Sequence, residues 1–363
     1  MHIKTLALHN FRNYERLIYD PDKGLNLIYG NNAQGKTNLL EAVFLCAFGR
    51  SQRTVHDDEL IMREKETAAV KTCVCSEFGG EHTVGIYLGQ SKSIEIDGVR
   101  IKKLADLMGM VKAVMFSPES LSLVKGSPAE RRRFMDMCIS QLSRVYFYRL
   151  QQYNGALRQR NALLKSPDAA RLRDYVAMWD EQLAASGAYI MTAREKFVKM
   201  LSPVACAVHD KLSCGTDTFE IKYAPSVKAE EDGLHESFAA RLKNCFEDDL
   251  RRGNTGVGVH KDDISVKTNG LDSKIYASQG QQRTAALALR LSEIDFIKKV
   301  SGETPIVLLD DVFSELDADR CAALLECVGE CQCIFTASQR LLNGADGQMH
   351  MVKCEKGTLT SIN

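Results

Sequence analysis

Gly30-Asn31-Asn32-Ala33-Gln34-Gly35-Lys36-Thr37 fits the phosphate-binding loop pattern G-x-x-x-x-G-K-[ST] at every fixed position. An apolar run at residues 25–29 precedes this stretch and a helical pattern at residues 38–48 follows it, so strand, loop and helix stand in the required order. Glycine lets such a loop wrap a phosphate chain and point its backbone N–H groups inward. The stretch therefore predicts a P-loop over residues 30–37 that binds ATP.

A second hydrophobic run, residues 306–309, ends in Asp310 and Asp311. A buried parallel strand carries such acids to the carboxyl edge of its sheet, where a P-loop also lies. Taken alone, the pattern also fits a strand-end turn with two exposed acids, but the complete P-loop favours a catalytic pair. We expect Lys36 to reach the β and γ phosphates and Asp311 to orient or deprotonate the attacking water. Thr37 and Asp310 are the predicted Mg²⁺ ligands.

Ser278-Gln279-Gly280-Gln281-Gln282 stands before an amphipathic helix predicted over residues 279–300. It resembles the signature motif of ABC-type ATPases, L-S-G-G-Q, with alanine at position 277 and glutamine at position 279 as departures. In that family the motif caps ATP bound to a second subunit, which makes Ser278, Gly280 and Gln281 candidate nucleotide-binding residues. A plain helix N-cap by Ser278 is the alternative interpretation.

Ser314-Glu315-Leu316-Asp317 resembles the D-loop of the same ATPases, which touches the partner subunit, and makes Asp317 a further candidate. No histidine directly follows the predicted strand Cys333–Ala337, where a switch histidine is expected. Thr336 and Ser338 stand there instead, and Asp311 replaces the glutamate of many ABC ATPases. These departures favour slow, regulated turnover.

Hydrophobic periodicity divides the chain into three parts. The first part alternates like β-strands and contains a β-meander over residues 68–78, 82–88 and 93–101. The middle part is helical from residue 130 to about 208, with a break at Ser166-Pro167-Asp168. Strand and helix patterns alternate again in the last part, which is typical of a parallel sheet with crossover helices.

These patterns predict an α/β fold: an ABC-type P-loop ATPase head, with a mixed sheet and an antiparallel β-meander, plus an inserted helical lobe. The predicted head (lobe I) is discontinuous, over residues 1–115 and 252–363. Residues 116–251 form the predicted arm (lobe II).

Composition is ordinary for a globular protein, with 45% hydrophobic and 26% charged residues in a chain of 363. No apolar run is long enough to cross a bilayer, and the N-terminus has no signal-peptide pattern, so we expect a cytoplasmic protein without a membrane partner. The twelve cysteines are scattered, which favours reduced thiols over zinc or disulfides.

Lysine plus arginine and aspartate plus glutamate each number 47, so bulk charge gives no support for nucleic-acid binding. Basic residues nevertheless concentrate between Lys125 and Arg173, beginning with Arg131, Arg132 and Arg133. This cluster is either a DNA phosphate-binding face or a solvated helix surface with ion pairs, and the sequence favours neither. No base-reading motif is present, so any DNA binding is expected to be non-specific and salt-sensitive.

Several stretches together resemble the RecF family, in the SMC/Rad50-like branch of ABC ATPases. They span nearly the whole chain in order. The stretches are Leu8-His9-Asn10-Phe11-Arg12-Asn13-Tyr14, Phe116-Ser117-Pro118-Glu119-Ser120-Leu121, Arg131-Arg132-Arg133-Phe134-Met135-Asp136, Thr255-Gly256-Val257-Gly258-Val259-His260-Lys261-Asp262-Asp263 with valine in place of an expected proline at 259, and the segments around Ser278 and Asp310 already described.

The resemblance implies a slow, DNA-stimulated ATPase that forms an ATP-dependent homodimer on duplex DNA or on a duplex/single-strand junction. It implies a role in recombinational repair and replication-fork maintenance after DNA damage, within the SOS response, with RecR and RecO helping to load RecA. It places Arg12 near the nucleotide phosphates. Residues 117–119 take the place of the Q-loop, although no glutamine stands there.

Three other classes compete with this interpretation. An ATPase subunit of a membrane transporter is disfavoured by the β-meander and the missing switch histidine. A chromosome-organising protein needs a long coiled coil, whereas the helical insert here is short and broken. A nuclease-coupled ATPase of the overcoming-lysogenisation type needs an appended nuclease domain.

Overall fold

The P-loop strand lies inside a mixed six-stranded sheet. The computed structural model describes residues 1–119, 123–166, 173–229, 233–338 and 349–362. Five neighbouring strands of this sheet run parallel, and one edge strand runs antiparallel. Numbered in chain order, the strands from that edge are β15 (Thr358–Ile362), β14 (Met349–Glu355), β3 (Leu25–Tyr29), β13 (Cys333–Ala337), β12 (Ile306–Asp310) and β8 (Ala113–Phe116).

Both faces of this sheet are buried, and the pleat divides each strand between two cores. On β12, Ile306 and Leu308 belong to one core, while Val307 and Leu309 belong to the other. Side chains alternate across a strand, so a continuous apolar run is what a strand covered on both faces needs. The strand order places β13 between β3 and β12, and the P-loop and the acidic pair therefore leave the sheet at the same edge.

A second sheet of six strands is antiparallel throughout. It confirms the predicted β-meander, whose hairpin turn at Asp97 and Gly98 has positive φ at both residues, as a tight two-residue turn requires. The helix α1 (Lys36–Phe48) contacts strands of both sheets and is buried along almost its whole length. In sheet order the strands are β2 (Tyr14–Tyr19), β1 (His2–Phe11), β4 (Ala68–Ser76), β5 (Gly80–Leu88), β6 (Ser93–Ile96) and β7 (Val99–Arg100).

The middle of the chain is helical, as predicted. α3 ends at Leu164 and α4 begins at Arg173, while Pro167 and Asp168 of the predicted break lie outside the described residues. α4 contains Pro203, a residue that removes one backbone donor, and the helix continues past it. The elements are α2 (Pro128–Leu142), α3 (Arg144–Leu164), α4 (Arg173–Leu212), β9 (Phe219–Ala224), α5 (Leu234–Asn244) and α6 (Phe246–Arg252).

A small third sheet joins the two sides of the predicted lobe boundary. Its central strand β10 (Asp263–Thr268) pairs with β9 on one side and with β11 (Leu271–Asp272) on the other. The division of the chain at residue 251 stays a prediction. The remaining helices are α7 (Ser273–Tyr276), α8 (Gln279–Ser301) and α9 (Ala318–Val328). Across the described part of the chain, each helix is too short or too polar to traverse a bilayer.

Buried arginines tie the helices to the segment before β10. Arg194 of α4 is 1% exposed and donates to Asp136 of α2 at 3.0 Å, to the Val259 carbonyl at 2.6 Å and to Asp262 at 3.1 Å. Burial of an arginine is tolerated only when its donors and charge are satisfied, as they are here. The predicted family segment at residues 255–263 is therefore a structural anchor for the helical region.

Replacing Arg194 with alanine would leave the buried Asp262 and the half-buried Asp136 without their cation. Breaking a buried ion pair on one side costs about 3–5 kcal/mol, so Arg194→Ala should lose about that much stability in urea unfolding. Lys199→Ala, an exposed change on the same helix, should stay within about 0.5 kcal/mol of the parent. A loss below about 1 kcal/mol for Arg194→Ala would contradict the anchoring role.

Candidate nucleotide-binding site

The side chain of Lys36 folds back onto its own P-loop. Its Nζ donates to the carbonyl oxygens of Gly30 at 2.6 Å and Asn31 at 2.9 Å, and the residue is 8% exposed. Asn32 and Ala33 form the exposed crest, and Ala33 has a φ of +63°. A lysine held by carbonyls of its own loop is positioned to exchange those oxygens for phosphate oxygens.

The two P-loop glycines are required by close neighbours as well as by the phosphate. A Cβ on Gly30 would lie 2.3 Å from the Cys354 carbonyl oxygen, and Gly30 has a φ of +155°. A Cβ on Gly35 would lie 2.5 Å from the Asn13 amide, and Gly35 has a φ of +117°. L-residues with a side chain rarely adopt such φ angles. Both positions therefore require glycine for two reasons, the backbone conformation and the lack of space for a Cβ atom.

Two turns from opposite ends of the chain hold the loop. The Gln34 carbonyl accepts from the Asn13 side chain at 2.9 Å and from the Gly357 N–H at 3.1 Å. The Gln34 side chain accepts from the Lys356 N–H at 2.6 Å, and the Tyr14 hydroxyl donates to the Gly35 carbonyl at 3.0 Å. We call these contacts, together with the close approach of Cys354 to Gly30, the P-loop clasp. Sequence reasoning missed Lys356 and Gly357, because nothing local connects the last hairpin to residue 34.

The predicted metal ligands meet at the carboxyl edge of the sheet. The Thr37 hydroxyl donates to Asp310 Oδ1 at 2.8 Å, and the Thr336 hydroxyl donates to the same oxygen at 2.9 Å. Burial raises the pKa of Asp310, while these two hydroxyls oppose the shift. A threonine hydroxyl and a carboxylate are oxygen donors of the kind that Mg²⁺ takes from proteins, so the residues fit that ion.

Asp311 is held in a left-handed conformation with a φ of +51°. Its N–H donates to the Thr336 hydroxyl at 3.0 Å, so one threonine on β13 fixes both aspartates. Thr336 lies on the strand that the switch histidine would follow, and sequence reasoning gave it no function. The only indication of such a function in the sequence is the hydroxyl of Thr336 in an otherwise apolar strand.

A cavity of about 780 Å³ opens beside this edge. Its walls combine the metal-side residues with residues of the helical region and of the segment that takes the place of the Q-loop. Among the lining residues are Thr37, Asp310, Asp311, Glu119, Arg133 and Arg290.

Comparison with known proteins finds relatives that match nearly the whole chain. A family model described as "RecF/RecN/SMC N terminal domain" matches residues 2–360. A protein of Clostridium acetobutylicum, named DNA replication and repair protein RecF, is 40% identical over 339 residues, which is 93% of each chain. The chain belongs to the RecF family. A RecF of Acetivibrio thermocellus is 42% identical over 348 residues, or 94% of each chain.

Solved structures agree with this assignment to the RecF family. One is described as the recombination mediator protein RecF with ATP in the RecFOR pathway. It is 34% identical, has a TM-score of 0.90, and the match covers 100% of this chain and 98% of that one. An Smc head at 16% identity and a TM-score of 0.58 shares the fold. The predicted fold class, an ABC-type ATPase head with an inserted helical lobe, is confirmed.

Arg12, which the RecF resemblance places near the phosphates, is engaged elsewhere. Its guanidinium donates to both carboxylate oxygens of Glu41 on α1, at 2.9 and 2.8 Å, and to the Glu59 carbonyl at 2.8 Å. No hydrogen bond joins it to residues 30–37 within the described ranges. Its contact with a nucleotide stays a prediction.

The signature motif lies at the exposed start of α8. Ser278 caps this helix in a reciprocal pair with Gln281, and the Gln281 amide also donates to Asp217 at 2.9 Å. In the D-loop, Asp317 caps α9 by accepting from the Arg320 N–H at 3.0 Å. Ser278, Gly280, Gln281 and Asp317 are not among the residues that line the cavity beside Thr37. Ser278 is thus a helix N-cap in this structure. The side of the motif that faces away from the protein is exposed.

The predicted basic cluster separates into three environments. Arg131 is 5% exposed and forms a two-point ion pair with Asp263, at 2.6 and 2.9 Å. The predicted DNA contact through Arg131 is therefore corrected to a structural role, because its charge and donors are already satisfied inside the protein. Arg132 is half-buried and donates to the Asp262 carbonyl at 2.8 Å, and Arg133 is exposed into the cavity. DNA contacts through these two residues stay predictions.

The clasp makes Gly30 sensitive to any side chain. Gly30→Ala should force the P-loop and the C-terminal hairpin apart, because its Cβ would overlap the Cys354 carbonyl. We expect ATP affinity, measured by calorimetry, to fall by about tenfold or more, since the loop would no longer hold its phosphate-binding shape. Gly24→Ala is the matched control, because a Cβ there meets no atom within 4 Å. Equal affinities in the two variants would exclude the clasp as a determinant of binding.

Proposed function

We propose that this chain is an ATP-switched DNA-binding ATPase of recombinational repair and replication-fork maintenance. ATP binding brings two copies together on DNA, and slow, DNA-stimulated hydrolysis releases them. The proposal follows the RecF family, whose curated members are named DNA replication and repair proteins. RecR and RecO are the proposed partners, and assistance in loading RecA at gaps is the proposed outcome.

One observation carries the proposal. The P-loop and the acidic pair meet within one chain, through the hydrogen bond from Thr37 to Asp310 at 2.8 Å. Ser278 and Gly280 belong to the exposed N-terminus of α8 and do not line the cavity beside Thr37 and Asp310. A helix N-terminus with free N–H groups is suited to a phosphate. We infer that it takes the terminal phosphate of ATP held by a second copy, which couples dimerisation to ATP.

The hydrolytic step is assigned to the edge formed by β12 and β13. Mg²⁺, held by Thr37 and Asp310, would neutralise charge on the β and γ phosphates. Asp311, whose backbone N–H donates to Thr336, is the group we assign to orient or deprotonate water. Lys36 supplies the cation that bridges the phosphates.

For DNA we propose non-specific contacts by the exposed cations of the helical arm, with duplex or a duplex/single-strand junction as the target. Arg158, Lys165 and Arg173 are exposed near the end of the arm, where α3 stops and α4 starts. Phosphate contacts of this kind are independent of sequence and weaken with salt. Arg132 is half-buried and belongs to the proposal as a secondary contact.

The shared site is tested by Ser278→Arg. A bulky cation at the cap should leave ATP binding to the chain's own P-loop intact and reduce ATP turnover by at least about tenfold, since the partner site would be blocked. Turnover per chain should rise with protein concentration in the parent and stay flat in the variant. Ser91→Arg, at an exposed bend, should behave like the parent. Normal, concentration-independent turnover in Ser278→Arg would mean that each P-loop works alone.

The DNA face is tested by the double variant Arg158→Glu with Lys165→Glu. Each phosphate contact contributes about 0.9 to the slope of log affinity against log salt, so the slope for duplex DNA should fall by up to about two. The matched control is Lys23→Glu with Lys71→Glu, two exposed cations of the head. An unchanged slope in the arm variant would remove these residues from the DNA interface.

A further inference from the structure

One arginine faces the cavity beside Thr37 without an acidic partner. Glu130, Arg133 and Met137 are three or four residues apart on α2 and line the cavity together. Within the described ranges, no hydrogen bond or ion pair involves the Arg133 guanidinium. Its neighbour Arg132 is different, because it donates to the Asp262 carbonyl at 2.8 Å.

The charges around Arg133 are of the same sign as its own. Burial, followed by repulsion from Arg50 and Arg290, lowers the pKa of Arg133. An arginine stays protonated despite such a shift, so Arg133 presents a positive charge to the cavity. A cation kept in this position is stabilised when an anion enters the cavity.

Arg290 supplies a second guanidinium to the same cavity. It comes from α8, donates to Glu293 at 3.2 Å and lies 5.0 Å from the ring centre of Phe134. Its Nε is buried and has no hydrogen-bond partner. A donor buried without a partner carries a desolvation cost, so the protein does not fully satisfy the Arg290 guanidinium.

The carboxylates of the same cavity are Glu119, Glu130, Asp310 and Asp311. Two of them accept hydrogen bonds from their own surroundings. Glu130 Oε2 accepts from the Ser127 N–H at 2.8 Å, and Asp310 Oδ1 accepts from two threonines. Neither Glu130 nor Asp310 forms an ion pair with Arg133.

We propose that Arg133, with Arg290 beside it, binds the terminal phosphate of ATP held in the same chain's P-loop. This inference rests on the proposed function and adds a phosphate-sensing residue to it. A planar guanidinium suits phosphate oxygens, and ADP has no group to reach this position. Arg133 then performs in the same chain the sensing function for which a histidine is missing after β13.

The ion pairs of α2 explain how phosphate binding at Arg133 would affect the rest of the helical region. Arg131 is paired with Asp263, and Asp136 is paired with Arg194 of α4. α2 thus lines the cavity with one face and is tied by ion pairs to β10 and to α4. Binding of the terminal phosphate by Arg133 shifts α2 and the arm as a unit, which makes DNA affinity dependent on the nucleotide.

The experiment compares a non-hydrolysable ATP analogue with ADP. Binding of each, with Mg²⁺, is measured at protein concentrations where the parent is monomeric, for the parent, Arg133→Ala and Arg133→Lys. Arg133→Ala should weaken analogue binding by about tenfold or more and leave ADP binding within about twofold, because only the analogue has the terminal phosphate. Arg133→Lys should recover part of the difference. DNA affinity should no longer differ between the two nucleotides in Arg133→Ala.

Arg241→Ala, an exposed arginine on α5, is the control and should match the parent. Equal weakening of analogue and ADP would overturn the inference, and so would parent-like binding of both. A loss of DNA affinity without any nucleotide effect would assign Arg133 to DNA instead. Arg133→Gln and Arg290→Gln provide the same comparison if the alanine variant fails to fold. The proposed function fails separately from this inference, if the parent neither hydrolyses ATP nor binds DNA.

Discussion

The hydrogen bond from Thr37 to Asp310 joins residues 273 positions apart, and the rest of the site depends on it. It exists because β13 lies between β3 and β12 in a parallel sheet, so the loop after one strand meets the acid at the end of another. Thr336 on the middle strand bonds to Asp310 and receives the N–H of Asp311. The same strand order provides the carboxyl edge at which α/β proteins bind their ligands.

Arginine has two functions in this fold, and they are separated by burial. Arg160 is fully buried, with Asp180 and Asp249 at 2.5 and 2.7 Å, and Arg131 and Arg194 are also internal ion pairs. These pairs connect helices and loops that are distant in sequence. Arg133 and Arg290 face the cavity, and further cations lie on the exposed end of the arm. The basic stretch between Lys125 and Arg173 thus combines two buried structural arginines, Arg131 and Arg160, with a larger number of exposed cations.

α8 connects two places that act on nucleotides in the proposed dimer. Its first turn carries Ser278 and Gly280, and Arg290 lies three turns further along at the cavity. Twelve residues of α-helix span about 18 Å, and a buried helix moves as a rigid body. In the proposed dimer, α8 would carry a change at one chain's cavity to the surface that faces the other chain. Such a connection gives a physical route for two sites to respond together.

Sequence alone determined the features that depend on neighbouring residues. The P-loop of residues 30–37, the apolar strand that ends at Asp310 and the β-meander are set by local spacing, periodicity and turn chemistry, and the structure has each of them. Family resemblance added the order of the motifs and the ABC head. It did not anticipate β10, β14 or β15, whose strands pair with distant partners.

Only the tertiary structure decided the features that depend on long-range packing. It placed Lys356 and Gly357 against Gln34. It also brought the Thr336 hydroxyl into hydrogen bonds with Asp310 and Asp311, and it buried Arg131. A side chain's charge or hydroxyl is visible in the sequence, but its partner is chosen by strand order and helix packing. Burial then decides whether an arginine is a structural pair or a free cation, because an unpaired charge is tolerated only where a ligand or water can reach it.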